Sequence, residues 1–269
     1  MIPSKVLAFL RKDLKLEMSY RFSFLMHFLS IFLSVAIFFF ISKLIGSSVS
    51  AHLKDYGGNY FSFALVGIAF SNFLGTGLSS FSSIISSAQS EGTVEAMLVT
   101  PTKVSSIIVM ASIWDFLMTT FDVLVYLALG ALLFGLNLSQ SNIPAAALII
   151  FLTILASSGL GIISASFIMV LKRGDPVNWL FGSFSSFIGG TYFPVTVLPD
   201  WLQKVSYLFP MFYALRAMRH AVLQGFSFTA LLPDMGALAL FSIIILPISI
   251  IMFKWAVKLA KTDGSLVTY

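Results

Sequence analysis

The chain has 269 residues, 58% of them hydrophobic and 10% charged, with a mean hydropathy of +0.97. A soluble domain of this length cannot hide that much apolar surface, so the composition calls for a bilayer as solvent. The net charge of +5 does not point to nucleic acid, because Lys and Arg sit at the ends of apolar runs, and the lack of Cys excludes disulfides, thiolate metal sites and a cysteine nucleophile.

Residues 1–21 predict an amphipathic helix lying in the membrane interface. Val6, Leu7, Leu10, Leu14 and Met18 share one face, with Lys5, Lys12 and Lys15 opposite. Phe9 and Leu16 fall on the polar side and are candidates for touching a cytoplasmic partner. No small-residue cleavage pattern follows, so the segment is not read as a signal peptide.

Six apolar runs then meet the ~20 residues that a span needs. They are Phe22 to about Ile45, a run within Tyr56 to Ser90, one between Val104 and Leu136, Pro144 to Leu171, one from near Val177 interrupted at Pro194, and about Met235 to Phe253 with Pro247 as a kink. A membrane barrel would instead show ~10-residue alternating segments. The predicted class is an all-α polytopic membrane protein, one domain over 1–269, with spans across 22–257 and a tail at 258–269. Basic residues set the orientation. Lys5, Arg11, Lys12, Lys15, Arg21, Lys103, Lys172, Arg173, Lys254, Lys258 and Lys261 fall on the N-terminal side, against Lys43, Lys54, Lys204, Arg216 and Arg219 on the other. Both termini are therefore expected in the cytoplasm, with the chain in the inner membrane.

Four features stand out along these spans. The loop SEGTVEAMLVTP runs from Ser90 to Pro101. Ser90 is read as the cap of a short helix with Glu91 in its first turn, and Glu91 and Glu95, four apart, share a face. Val94, Met97 and Leu98 form its apolar side, and Thr100 with Pro101 is read as restarting a helix. Asp115 and Asp122 are seven apart on the third span, with Thr119 between them. Such carboxylates face protein or water. They are read either as proton or cationic-substrate sites, or as an interfacial Asp115 with an Asp122 that bonds to a neighbouring helix or stays protonated. Ser79, Ser82, Ser83, Ser86 and Ser87, below Gly75 and Gly77, form a small-residue stripe suited to close helix packing. Finally, Pro194, Pro199 and Pro210 cut Gly189 to Gly225 into pieces too short to span. Asp200 is read as the cap of one short helix, and a second is predicted from about Met211 to Leu223. Irregular backbone at membrane depth is tolerated only against protein or a watery cavity. Tyr192, Phe193, Pro194, Pro199, Trp201 and Arg216 are the candidate pathway or external-gate residues.

The segments EGTVEAMLVTP (Glu91 to Pro101) and GGTYFPVTVLPDWLQ (Gly189 to Gln203, with Pro210 and Arg216 downstream) resemble the cytoplasmic coupling helix and the external re-entrant segment of type-2 ATP-binding-cassette exporter permeases. The resemblance runs through nearly the whole chain. It implies a membrane-spanning subunit that forms its pathway as a homodimer, in membrane lipid, coupled to two copies of a separate P-loop ATPase. Glu91, Gly92, Thr93, Val94, Glu95, Met97, Leu98, Phe9 and Leu16 would then contact the ATPase, and ATP and Mg would sit on that partner, with no cofactor on this chain. Family members move cell-surface glycans, lipid-linked polymers, drugs or antibiotics.

The residues agree with a separate ATPase, because a P-loop needs GxxxxGK[ST] and no Gly-Lys pair occurs. A proton-coupled secondary transporter using Asp122 is the alternative, although the inverted repeats that would support it are not evident. A membrane enzyme would need clustered His or carboxylates. His27, His52 and His220 are scattered, so no catalytic or metal residues are assigned. Aromatic residues crowd the predicted external face, where they suit either sugar stacking or an interfacial belt.

Overall fold

The computed structural model describes residues 2–45, 52–100, 104–171 and 175–262, and all regular structure among them is helical. Pro101, Lys103, Lys172 and Arg173 of the sequence reading, with the tail beyond 262, lie outside the described residues. The N-terminal helix is α1 (Ile2–Ser19), followed by α2 (Arg21–Ile45), α3 (Tyr60–Ser90) and the short α4 (Val94–Val99). Then come α5 (Val104–Phe134), α6 (Ile143–Leu171), α7 (Pro176–Ile188), α8 (Asp200–Ser206), α9 (Pro210–Leu223) and α10 (Phe228–Thr262). Helices α2, α3, α5, α6 and α10 are each long and apolar enough to cross a membrane. The protein is a multi-pass α-helical membrane protein.

Helix α3 is the centre of the bundle. Phe63, Leu65, Phe73, Leu78 and Ile85 along it are fully buried, and it packs most closely on α6. Small residues permit that approach. A Cβ on Gly77 would strike the Ser157 side chain, and one on Gly161 would strike the Gly77 carbonyl. The serine stripe is only partly used in this way. Ser82 is buried and Ser79 half-buried, whereas Ser83, Ser86 and Ser87 are exposed. The Ser83 hydroxyl needs no neighbouring helix, since it donates to the Ser80 carbonyl at 3.0 Å, one turn back.

Ser242 of α10 lies against Leu152 of α6, and Ile245 against Gly159, so α6 and α10 run in the same direction. The chain must therefore cross back between them, and α7 begins that crossing. Its start is set by Asp175, whose carboxylate accepts from the Asn178 N–H at 2.9 Å and from the Ser164 hydroxyl, with Pro176 at the first helical position. With 13 residues, α7 is about 20 Å long, short of the ~30 Å hydrocarbon core. The expected interruption at Pro194 comes earlier in the chain. The helix stops at Gly189, where the backbone tucks against the Met211 side chain, and Gly190 follows at φ +82. The last span also starts earlier than expected, at Phe228, and carries Pro233 and Pro247 within it.

At the end of the bundle shared by α1 and α4, two local readings need correction. Ser90 closes α3 and does not cap α4. Gly92 takes φ +66, Gly92 N–H bonds to the Gln89 carbonyl (3.1 Å) and Thr93 N–H to the Ala88 carbonyl (2.8 Å), the paired bonds of a glycine-terminated helix. Glu91 belongs to this cap and so does not share a helix with Glu95. Thr100 ends α4, its hydroxyl donating to the Met97 carbonyl at 2.9 Å. At the opposite end, Asp200 is the first residue of α8, and Pro199 occupies the cap position.

Candidate functional site

The segment between α7 and α10 gathers most of the predicted gate residues. After Gly190 the chain runs through buried Thr191 and Pro194 into a short 3-10 turn, Val195–Val197. Val195, Leu198 and Phe212 form a small apolar cluster that seats this turn on α9, with Phe193 packed beside it. Tyr192 stacks on Phe38 of α2 (5.8 Å, 12°). Trp201 and Pro199 are exposed on and beside α8.

Helix α9 is held from several sides. The last carbonyls of a helix lack partners within it. Here the Asn142 N–H donates to the Ala221 carbonyl (2.8 Å) and the Ser141 hydroxyl to the Val222 carbonyl (2.7 Å). Asn142 also caps α6, accepting from Ala145 N–H at 3.1 Å, so one residue joins the start of α6 to the end of α9. On the face of α9 toward α10, Arg216 Nε donates to both carboxylate oxygens of Asp234, at 3.0 and 3.1 Å, and Nη2 adds a further contact. Burial alone would lower the Arg216 pKa, but the bonds and charge of Asp234 more than offset it and leave it raised.

Arg219, one turn on, is 2% exposed. Its Nε donates to the Phe63 carbonyl of α3 (3.2 Å) and its Nη2 to the Thr191 carbonyl (2.9 Å). The guanidinium carbon lies 3.5 Å from the Phe63 ring centroid and 5.8 Å from that of Tyr56. Burial pulls this guanidinium down to about 9, still cationic at neutral pH. Burial likewise raises the Tyr56 phenol, opposed by the two arginines.

Above these residues opens a cavity of about 460 Å³, lined among others by Asp55, Tyr56, Gln203, Tyr207, Arg216 and His220. The His220 ring is sandwiched between Tyr56 (5.2 Å) and Phe226 (4.6 Å), and its Nδ1 lies 2.6 Å from Gln224 Oε1. The flat faces nearest the cavity are thus largely occupied by the protein's own side chains.

Within the long helices the two carboxylates have separate partners. Asp115 accepts from the Ser80 hydroxyl of α3, and Asp122 Oδ1 meets His27 Nε2 of α2 at 2.8 Å. Thr119 Oγ1, between them, lies 2.6 Å from Thr76 Oγ1. Among the described residues no three His, Asp or Glu side chains are grouped to hold a metal.

At the α1/α4 end, Glu91, Gly92 and Thr93 are exposed and Met97 is half-buried. The side chains of Val94, Glu95 and Leu98 lie outside the described residues. On α1, Phe9 is half-buried beneath Lys12 Nζ (5.7 Å), Lys12 also pairs with Asp13 (3.0 Å), and Leu16 is 51% exposed.

Sequence reasoning singled out Arg216 but gave no role to Arg219, Asp234, Asn142 or His27. Asp234 fell just outside the last span as predicted from about Met235, while an Arg three residues after Arg216 on a short helix was the signal available for Arg219. No curated protein matches the chain. A family model described as ABC-2 type transporter matches residues 6–223, taking in α1 through α9 and both motif segments, and the chain therefore belongs to the ABC-2 type transporter family as a membrane permease subunit.

Proposed function

We propose that this protein is the permease of an ATP-driven exporter, working as a homodimer with a separate P-loop ATPase present in two copies. The family match over most of the chain carries the reading, and the lack of any Gly-Lys pair supports a partner as the site of ATP and Mg. Both termini face the cytoplasm in the inner membrane. The α1/α4 end docks the ATPase through Glu91 to Leu98 with Phe9 and Leu16, and the α8/α9 end is the external mouth. Exposure of the Glu91–Thr93 cap supports the first assignment. The backbone break after α7, buried in protein, supports the second. The cargo is a cell-surface glycan, a lipid-linked polymer or a hydrophobic drug.

Pairing of Asp122 with His27 favours a helix-joining role for that carboxylate over a proton-carrying one. Affinity purification in mild detergent tests the proposal. The tagged chain should bring down a P-loop ATPase, and the complex should hydrolyse ATP. Robust hydrolysis by this chain alone, free of contaminating ATPase, overturns it.

A further inference from the structure

The geometry assigns Arg219 as the positioning residue of the α8/α9 end, the group that holds the broken backbone after α7 against α3. A buried cation ordinarily finds a carboxylate. Arg219 is fully enclosed, yet the acceptors it uses are two main-chain carbonyls on different elements, with the Phe63 ring against its face. The Phe63 carbonyl lies in the first turn of α3. The Thr191 carbonyl lies in irregular backbone, where no helix supplies a donor, and the guanidinium supplies it instead.

Helix α3 is built to admit this contact. At Gly67 a Cβ would strike both Arg219 Nη2 and the Thr191 oxygen. The anchor behind the arginine is firm, because α9 is tied to α6 through Ser141 and Asn142 and to α10 through Asp234. Arg219 extends that anchor to the non-helical backbone that follows α7. Only a planar fork can reach two carbonyls and lie flat on a ring, so lysine is not an equivalent.

Thr191 adds an independent mark. Its carbonyl is bound, but among the described residues its buried hydroxyl meets no hydrogen-bond partner. An unsatisfied hydroxyl penalises the arrangement that Arg219 enforces. Beside the apolar contacts of Tyr192 and Phe193, the break thus has one charged fork on its backbone and one hydroxyl left unpaired, a combination suited to backbone that must move when cargo leaves. This last step rests on reading the α8/α9 end as the exit.

The test uses the full chain in liposomes, without nucleotide, with two readouts: amide hydrogen exchange over residues 189–193, and release of a trapped carboxylated dye. Arg219→Lys and Gly67→Ala, on different helices, are each expected to raise exchange in that segment about tenfold to a hundredfold, the loss of a hydrogen bond from a charged donor. The double variant should be no worse than Arg219→Lys alone. Thr191→Val, which leaves the carbonyl in place, should exchange as slowly as the native chain or more slowly. Unchanged exchange in both single variants overturns the assignment. So does a rise spread evenly over α3, α6 and α9, the mark of general destabilisation. Local exchange with dye release supports both the lock and the exit; local exchange without release keeps the positioning role and removes the exit reading.

Discussion

His27 of α2 and Asp122 of α5 meet at 2.8 Å, although 95 residues separate them in the chain. The contact matters because α2 buries only Ile31 and Val35 among the described residues, so that polar links to α5, this one and the Ser34–Tyr126 hydrogen bond, count for more in holding it. Asp122→Asn keeps an acceptor for the imidazole and is expected to retain most transport. Asp122→Leu removes it and should cost on the order of 1–3 kcal/mol, seen as a lower Tm and loosened assembly. Wild-type stability and transport in the Leu variant would contradict a joining role.

Breaking the Arg216–Asp234 pair should be more damaging than removing it. The Asp234 side chain is 8% exposed and Arg216 35%. Asp234→Ala strands a half-buried cation and is expected to cost about 3 kcal/mol, the low end for a buried pair because Arg216 still reaches solvent. The double variant Arg216→Met, Asp234→Leu should recover most of that loss in thermal unfolding.

The cap at the end of α3 gives a separate test of docking. Gly92→Ala forces an L-residue to φ +66, which costs roughly 1–2 kcal/mol and should tilt α4. Reversing Glu91 and Glu95 to Lys is expected to weaken ATPase co-purification and transport while leaving membrane insertion intact, since charge reversal at an interface commonly costs a few kcal/mol. Full transport with normal docking in the double reversal would exclude this surface.

Two glycines two residues apart should behave oppositely. Gly77→Ala drives a methyl into Ser157 and is expected to destabilise by about 1–3 kcal/mol through separation of α3 from α6. Nothing lies within 4 Å of a Cβ on Gly75, so Gly75→Ala should be neutral or slightly stabilising. Equal melting temperatures for the two variants would show that the α3–α6 approach tolerates spreading.

The long helices were legible because continuous apolar runs leave little choice in a bilayer. Phe22 to Ile45 and Pro144 to Leu171 agree with α2 and α6 to within a residue at each end. Helix stops were harder. Pro194 was taken as the interruption because proline is the stronger breaker in a sequence, but Gly189 and Gly190 end α7 because Met211, distant in the chain, closes on the backbone there. Ser90 was read as a cap from its residue type. The deciding residue was Gly92, whose positive φ is not visible before the fold is known. The partners of Asp122, Arg216 and Arg219 were out of reach for the same reason. Each lies on a segment distant in the chain, and local periodicity carries no information about which segments become neighbours.

The short α7 also has a consequence for the surrounding lipid. Trp179, Leu180, Phe184 and Phe187 make its outward face, on a helix about 20 Å long beside α3 and α6, which have 31 and 29 residues. Hydrophobic mismatch of this size draws the adjacent leaflet inward. The bilayer beside α7 is then expected to be thinner than around the rest of the protein, and the exposed Trp201 and Tyr207 rings of α8 and its end are suited to a headgroup boundary lowered in this way. Acyl-chain length thereby becomes a variable that acts on one flank of the molecule and spares the others.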